Sequence, residues 1–151
     1  MFLAAHRHQI ARRRSRRAND DRVLIVARDP KVVRWIEHEL FAERVTPQFV
    51  QSVTEVVTLL TVVPPPWPAF LIIEVDAISP FEIALLACAR GAGWSGSVIA
   101  IGDPASDMCH SLGIDVILDR SLGCEVLRNA LKRATSAIRT PIAAGKQRAI
   151  I

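Results

Sequence analysis

Short aliphatic runs without polar alternation recur along the chain, and they restrict its fold more than any other feature. Val23-Leu24-Ile25-Val26, Phe70-Leu71-Ile72-Ile73, Val98-Ile99-Ala100-Ile101 and Val116-Ile117-Leu118 are the clearest. A strand with one wet face alternates apolar and polar residues, so continuous runs of this length specify strands covered on both sides. They place strands at 23–26, 70–73, 97–101 and 115–118, with Gln48-Phe49-Val50 as a weaker fifth.

Helical segments lie between the strands. Asp29 can cap a helix whose first residue is Pro30, where a missing N–H costs nothing. Val32, Val33, Ile36, Leu40 and Phe41 then recur at helical spacing. Ser52 and Glu55 have the spacing of a capping box, and Ser79-Pro80 opens a helix over 81–90. A short helix is expected over 105–112 and an amphipathic one over 124–137, carrying Val126, Leu127, Ala130 and Leu131 on one face. Strands alternating with helices through short connections specify an α/β fold, a doubly wound parallel sheet in three layers. In such sheets the crevice at the carboxyl ends of the strands is where ligands meet the protein. Those ends carry Arg28-Asp29, Glu74-Val75-Asp76, Gly102-Asp103 and Asp119-Arg120.

Charge is segregated. The chain of 151 residues has 19 basic and 15 acidic residues, but residues 1–18 hold six Arg and no acid. Residues 132–151 hold five bases and no acid, which leaves 19 − 11 = 8 bases against all 15 acids between them. The basic character therefore belongs to the two ends. An Arg-rich arm of this kind attracts polyanions such as nucleic acid, although composition alone carries no base-reading pattern.

Cys88, Cys109 and Cys124 are widely spaced with no CxxC pair, so neither a disulfide framework nor a zinc site is expected, and a reducing cytoplasm suits the chain. Cys88 and Cys124 are expected as core or groove fillers on helix faces. No apolar run approaches the roughly 18 residues of a membrane span. No Gly-rich nucleotide loop follows a strand and no nucleophile elbow is present, so enzymatic activity is not expected.

The order of these elements, their lengths and the residues at the strand ends resemble the receiver domain of response regulators, the CheY-like, flavodoxin-like module of two-component signalling. The resemblance covers residues 21–137 and leaves 1–20 as a basic, disordered arm and 138–151 as a tail. It implies a five-stranded sheet in the order 2-1-3-4-5.

It also implies where the phosphorylation machinery should stand. The acidic pair that follows a receiver's first strand is replaced by Ala27 and Arg28, with Asp29 next. The phosphoacceptor position at the end of the third strand falls on Glu74. Asp76-Ala77-Ile78-Ser79-Pro80 matches the family's Asp-x-x-x-Pro and would make Asp76 the acceptor instead, but it leaves the following stretch short, whereas the Glu74 register runs on to Leu85-Leu86 without a gap. The switch positions fall on Gly102 in place of a Thr or Ser hydroxyl, Ile117 in place of an aromatic ring, and Arg120 in place of Lys.

Phosphoryl transfer to a carboxylate uses Mg²⁺ held by hard oxygen ligands. With Ala27 and Arg28 in the acidic positions, Mg²⁺ binding is expected to be weak or absent, and no cofactor is expected. Arg28 or Arg120 is expected to pair with Glu74, because guanidinium binds carboxylate without a metal. The reading is an atypical receiver that signals through protein–protein contact, without Asp phosphorylation. Its contacts, to a partner or a second copy, are expected in the 103–137 region. Two alternatives remain: a phosphoacceptor receiver using Asp76, and a polyanion-binding accessory protein using its Arg-rich arm.

Overall fold

The computed structural model describes residues 19–139, with side chains described from 20 to 134. The Arg-rich arm and the C-terminal tail, and with them the polyanion reading, lie outside the described residues.

Five strands and five α-helices alternate: β1 Asn19–Val26, α1 Pro30–Leu40, β2 Thr46–Phe49, α2 Val53–Thr61, β3 Trp67–Glu74, α3 Pro80–Gly91, β4 Ser97–Ile101, α4 Ser106–Leu112, β5 Ile114–Leu118 and α5 Val126–Arg139. All pairings are parallel and the order is β2-β1-β3-β4-β5, as expected. The continuous aliphatic runs explain the layering, because each face of the sheet has its own core. Leu24, Val26, Leu71, Ile73, Val98 and Ala100 meet α2, α3 and α4 on one side. Val23, Ile25, Phe70, Ile72, Ile99 and Ile101 meet α1 and α5 on the other. Residues two apart on a strand share a face, so the same runs feed both layers.

Local chemistry sets the helix starts. Asp29 Oδ1 accepts the Lys31 N–H at 2.9 Å, with Pro30 in the first turn of α1. Ser52 caps α2, and Ser79 with Glu82 completes a reciprocal capping box on α3.

Several boundaries differ from the sequence expectation. β1 begins at Asn19, before the aliphatic run and inside the stretch assigned to the arm, because Asn19 and Asp20 pair with Trp67 and Pro68 of an equally early β3. Trp67 and Pro68 thus lie in the sheet, ahead of the aliphatic run. Phe41, counted on the apolar face of α1, is 90% exposed at its C-terminal end. Cys88 and Cys124 are exposed and do not fill the core.

Candidate functional site

Register decides which side chains meet at the carboxyl edge of the sheet. Val26 is opposite Ile73, so Arg28 and Asp29 emerge beside Glu74, the last residue of β3. Glu74 is in turn opposite Ile101, and Ile101 opposite Leu118, so the chain beyond β5 rises at the same edge. The Gly102 N–H donates to the Leu118 carbonyl at 2.8 Å and holds the ends of β4 and β5 level. Gly102 has a φ of +122° and a Cβ there would come within 3.3 Å of Val75, so a side chain at this point is disfavoured twice over.

Glu74 is 3% exposed. A carboxylate so buried needs donors. The main chain supplies them: the Arg28 N–H donates to Oε2 at 3.3 Å, and the Asp29 N–H donates to Oε1 at 3.3 Å and Oε2 at 3.2 Å. Glutamate has one methylene more than aspartate, and here that length carries the carboxylate across to the β1–α1 turn.

Arg120 closes the site. Its guanidinium lies 3.2 Å from Asp29 Oδ2 and 3.8 Å from Glu74 Oε1, and it donates to Asp76 Oδ2. One cation therefore faces three carboxylates. Asp29 serves twice, through Oδ1 on the α1 N-terminus and Oδ2 on Arg120. The Asp76 side chain, in the one-turn 3₁₀ helix Val75–Ala77, is 67% exposed. Arg120 itself is 40% exposed, so water screens its outer contacts more than the one to Glu74. Next to it the Asp119 carboxyl sits below its ordinary range, because the Ser121 hydroxyl and then the Ser121 N–H donate to it.

The structure brings together Glu74, Asp76, Asp29 and Arg120, four of the positions singled out in the sequence. Arg28 takes part through its N–H, while among the described contacts its guanidinium makes no ion pair. Ala27 packs against the α1–α5 core, and Ile117 is a half-buried aliphatic residue against the other core. No three His, Cys, Asp or Glu side chains among the described residues stand close enough together to hold a metal ion. What sequence reasoning missed is the main-chain donation to Glu74. It also missed Glu39, a 1% exposed carboxylate on α1 that binds the start of α5. Helical periodicity could have found Glu39, since it lies between Ile36 and Leu40 and within reach of the buried stripe.

No protein-family model matches the chain, and neither does any curated protein. Solved structures do. The signal receiver domain of an HD domain-containing protein from Pseudomonas fluorescens Pf-5 has 19% identity and a TM-score of 0.63, over 78% of this chain and 88% of that one. A CheY-like response regulator receiver domain protein from Methanospirillum hungatei JF-1 has 14% identity and a TM-score of 0.60, over 79% and 94%. A protein described as pilus assembly-related, from Burkholderia pseudomallei K96243, has 18% identity and a TM-score of 0.60, over 85% and 93%. At these identities the likeness is one of fold. The chain has the fold of response-regulator receiver domains, and no helix among its described residues is long and apolar enough to cross a membrane.

Proposed function

We propose that this receiver fold is a signalling adaptor of the two-component type whose crevice is set by Arg120 rather than by phosphorylation. The observation that carries the reading is the single guanidinium among Asp29, Glu74 and Asp76. A phosphorylatable crevice needs an accessible carboxylate nucleophile and a divalent cation to spread the charge of the transferred group. Glu74 stands at the acceptor position with its oxygens occupied by two N–H groups and a cation. Arg120 stands where it can neutralise carboxylates permanently and without a metal. Gly102 offers no hydroxyl for a phosphoryl oxygen, and Ile117 offers no ring to reorient.

Such a protein acts by binding rather than catalysis, in the cytoplasm, where its three free cysteines stay reduced. Its output surface is the 103–137 region, in which Asp107, His110 and Ser111 of α4 and Arg133 of α5 are exposed. The partner is another protein or a second copy of this chain.

Incubating the protein with a small phosphodonor and Mg²⁺, followed by intact-mass measurement, tests the reading. The expected result is an unchanged mass. A stable acyl phosphate on Asp76, the most open carboxylate of the cluster, would establish a non-standard phosphoacceptor instead.

A further inference from the structure

The connection between β5 and α5 is fastened to α1 by contacts that the crevice does not need. The Gly123 carbonyl accepts the Trp35 indole N–H at 3.1 Å. Four residues on, the first turn of α5 meets Glu39. The Leu127 N–H donates to Oε1 at 3.2 Å and Arg128 Nε to Oε2 at 3.2 Å. The first N–H groups of a helix have no partner within it. Here a buried carboxylate from another helix takes one of them, and its charge suits that end of the helix dipole.

The backbone on either side of Gly123 is constrained. Leu122 has a φ of 53° and Glu125 a φ of 64°, the left-handed region that residues with a Cβ avoid. A Cβ on Gly123 would lie 2.8 Å from Val126 Cγ2, so a side chain at this point would collide with the start of α5. The near end of the same connection is Arg120, held by the carboxylates of the crevice.

We infer that residues 120–128 form a tensioned link, in which Arg120 clamped in the crevice and α5 clamped on Glu39 hold each other in place. A ligand or partner that draws Arg120 outward lets Leu122 and Glu125 relax to ordinary conformations, and the start of α5 then loosens from α1. The link thus carries a change at the crevice to the α1–α5 face, with the strained loop as the element that has two arrangements. It shares Arg120 with the function proposed above but not its chemistry, because a crevice that accepted a phosphoryl group would pull on the same link.

Amide hydrogen exchange by NMR on the full chain tests it. Arg120→Ala should raise exchange at the Leu127 and Arg128 amides by about threefold to fivefold, with the α2 and α3 amides unchanged. By reciprocity, Glu39→Gln should speed exchange of the Arg120 Nε–H. Trp35→Phe should act in the same direction as Arg120→Ala with a smaller effect. If Arg120→Ala does not fold, Arg120→Lys, which shortens the reach, takes its place with the same expectation. Wild-type exchange at Leu127 and Arg128, or a rise matched across α2 and α3, would overturn the link. Neither result would bear on whether the protein accepts a phosphoryl group.

Discussion

Two arginines at opposite ends of the sheet have opposite surroundings. Arg90, at the C-terminus of α3, gives its guanidinium to main-chain carbonyls: Leu112 at 2.9 Å, Gly113 at 3.3 Å, Trp94 at 3.4 Å, and Gly96. It also lies over the Trp94 ring, 4.6 Å from the centroid. Burial lowers its pKa from the ordinary arginine value, and the charge of Asp115 partly offsets this. Arg120 touches no carbonyl among its described contacts and faces three carboxylates instead. An arginine spent on carbonyls stitches chain segments together whatever the protein does. One spent on carboxylates, at the edge where this fold places its chemistry, sets the charge of a site.

The comparison is broken most severely at Arg90. Arg90→Ala strips donors from several carbonyls and removes a cation–π contact, and should cost about 3 kcal/mol. The midpoint of urea unfolding would fall accordingly, and Arg90→Lys should recover only part of the loss because Lys lacks the planar fork. Glu74→Gln should come next, at about 1–2 kcal/mol, since one acceptor oxygen becomes a donor facing main-chain N–H groups. Arg120→Ala should cost under about 1 kcal/mol in the same measurement, because its pairs are partly exposed. A loss as large as that at Arg90 would make Arg120 a second structural stitch and erase the distinction.

The smallest effect sharpens the contrast at the crevice rim. The Asp119 carboxyl titrates below its unfolded value, so its contribution is present above that value and is lost as the pH falls through the folded one. Ser121→Ala removes the hydroxyl but keeps the N–H, and should raise the Asp119 pKa part of the way towards the ordinary range. Carboxyl NMR titration reads this directly.

The sheet was legible because strands buried on both faces need continuous aliphatic runs, and the strand runs are short and rich in Val and Ile, unlike the helical run over 83–89. Asp29-Pro30, Ser52 and Ser79-Pro80 marked helix starts because capping depends on local side-chain chemistry. The early starts of β1 and β3 were not legible. Asn19, Asp20, Trp67 and Pro68 join the sheet through pairing with each other, which no local pattern encodes. At the crevice, strand-end positions named Glu74, Asp76, Asp29 and Arg120, since register in a parallel sheet brings such ends level. The choice between Arg28 and Arg120 was not legible, because it turns on which backbone groups point at Glu74. The Glu39 contact was hidden for a similar reason: it depends on where α5 begins relative to α1, across 88 residues of chain.

The central claim is that a guanidinium occupies the electrostatic role a divalent cation plays in a phosphorylatable crevice. Titrating the unmodified protein with Mg²⁺ while following the Asp29, Glu74 and Asp76 carboxyl resonances and the Arg120 Nε–H tests it most directly. The account predicts no saturable shift at these groups at physiological Mg²⁺. Saturable shifts at the three carboxylates, with release of Arg120 into solvent, would contradict it.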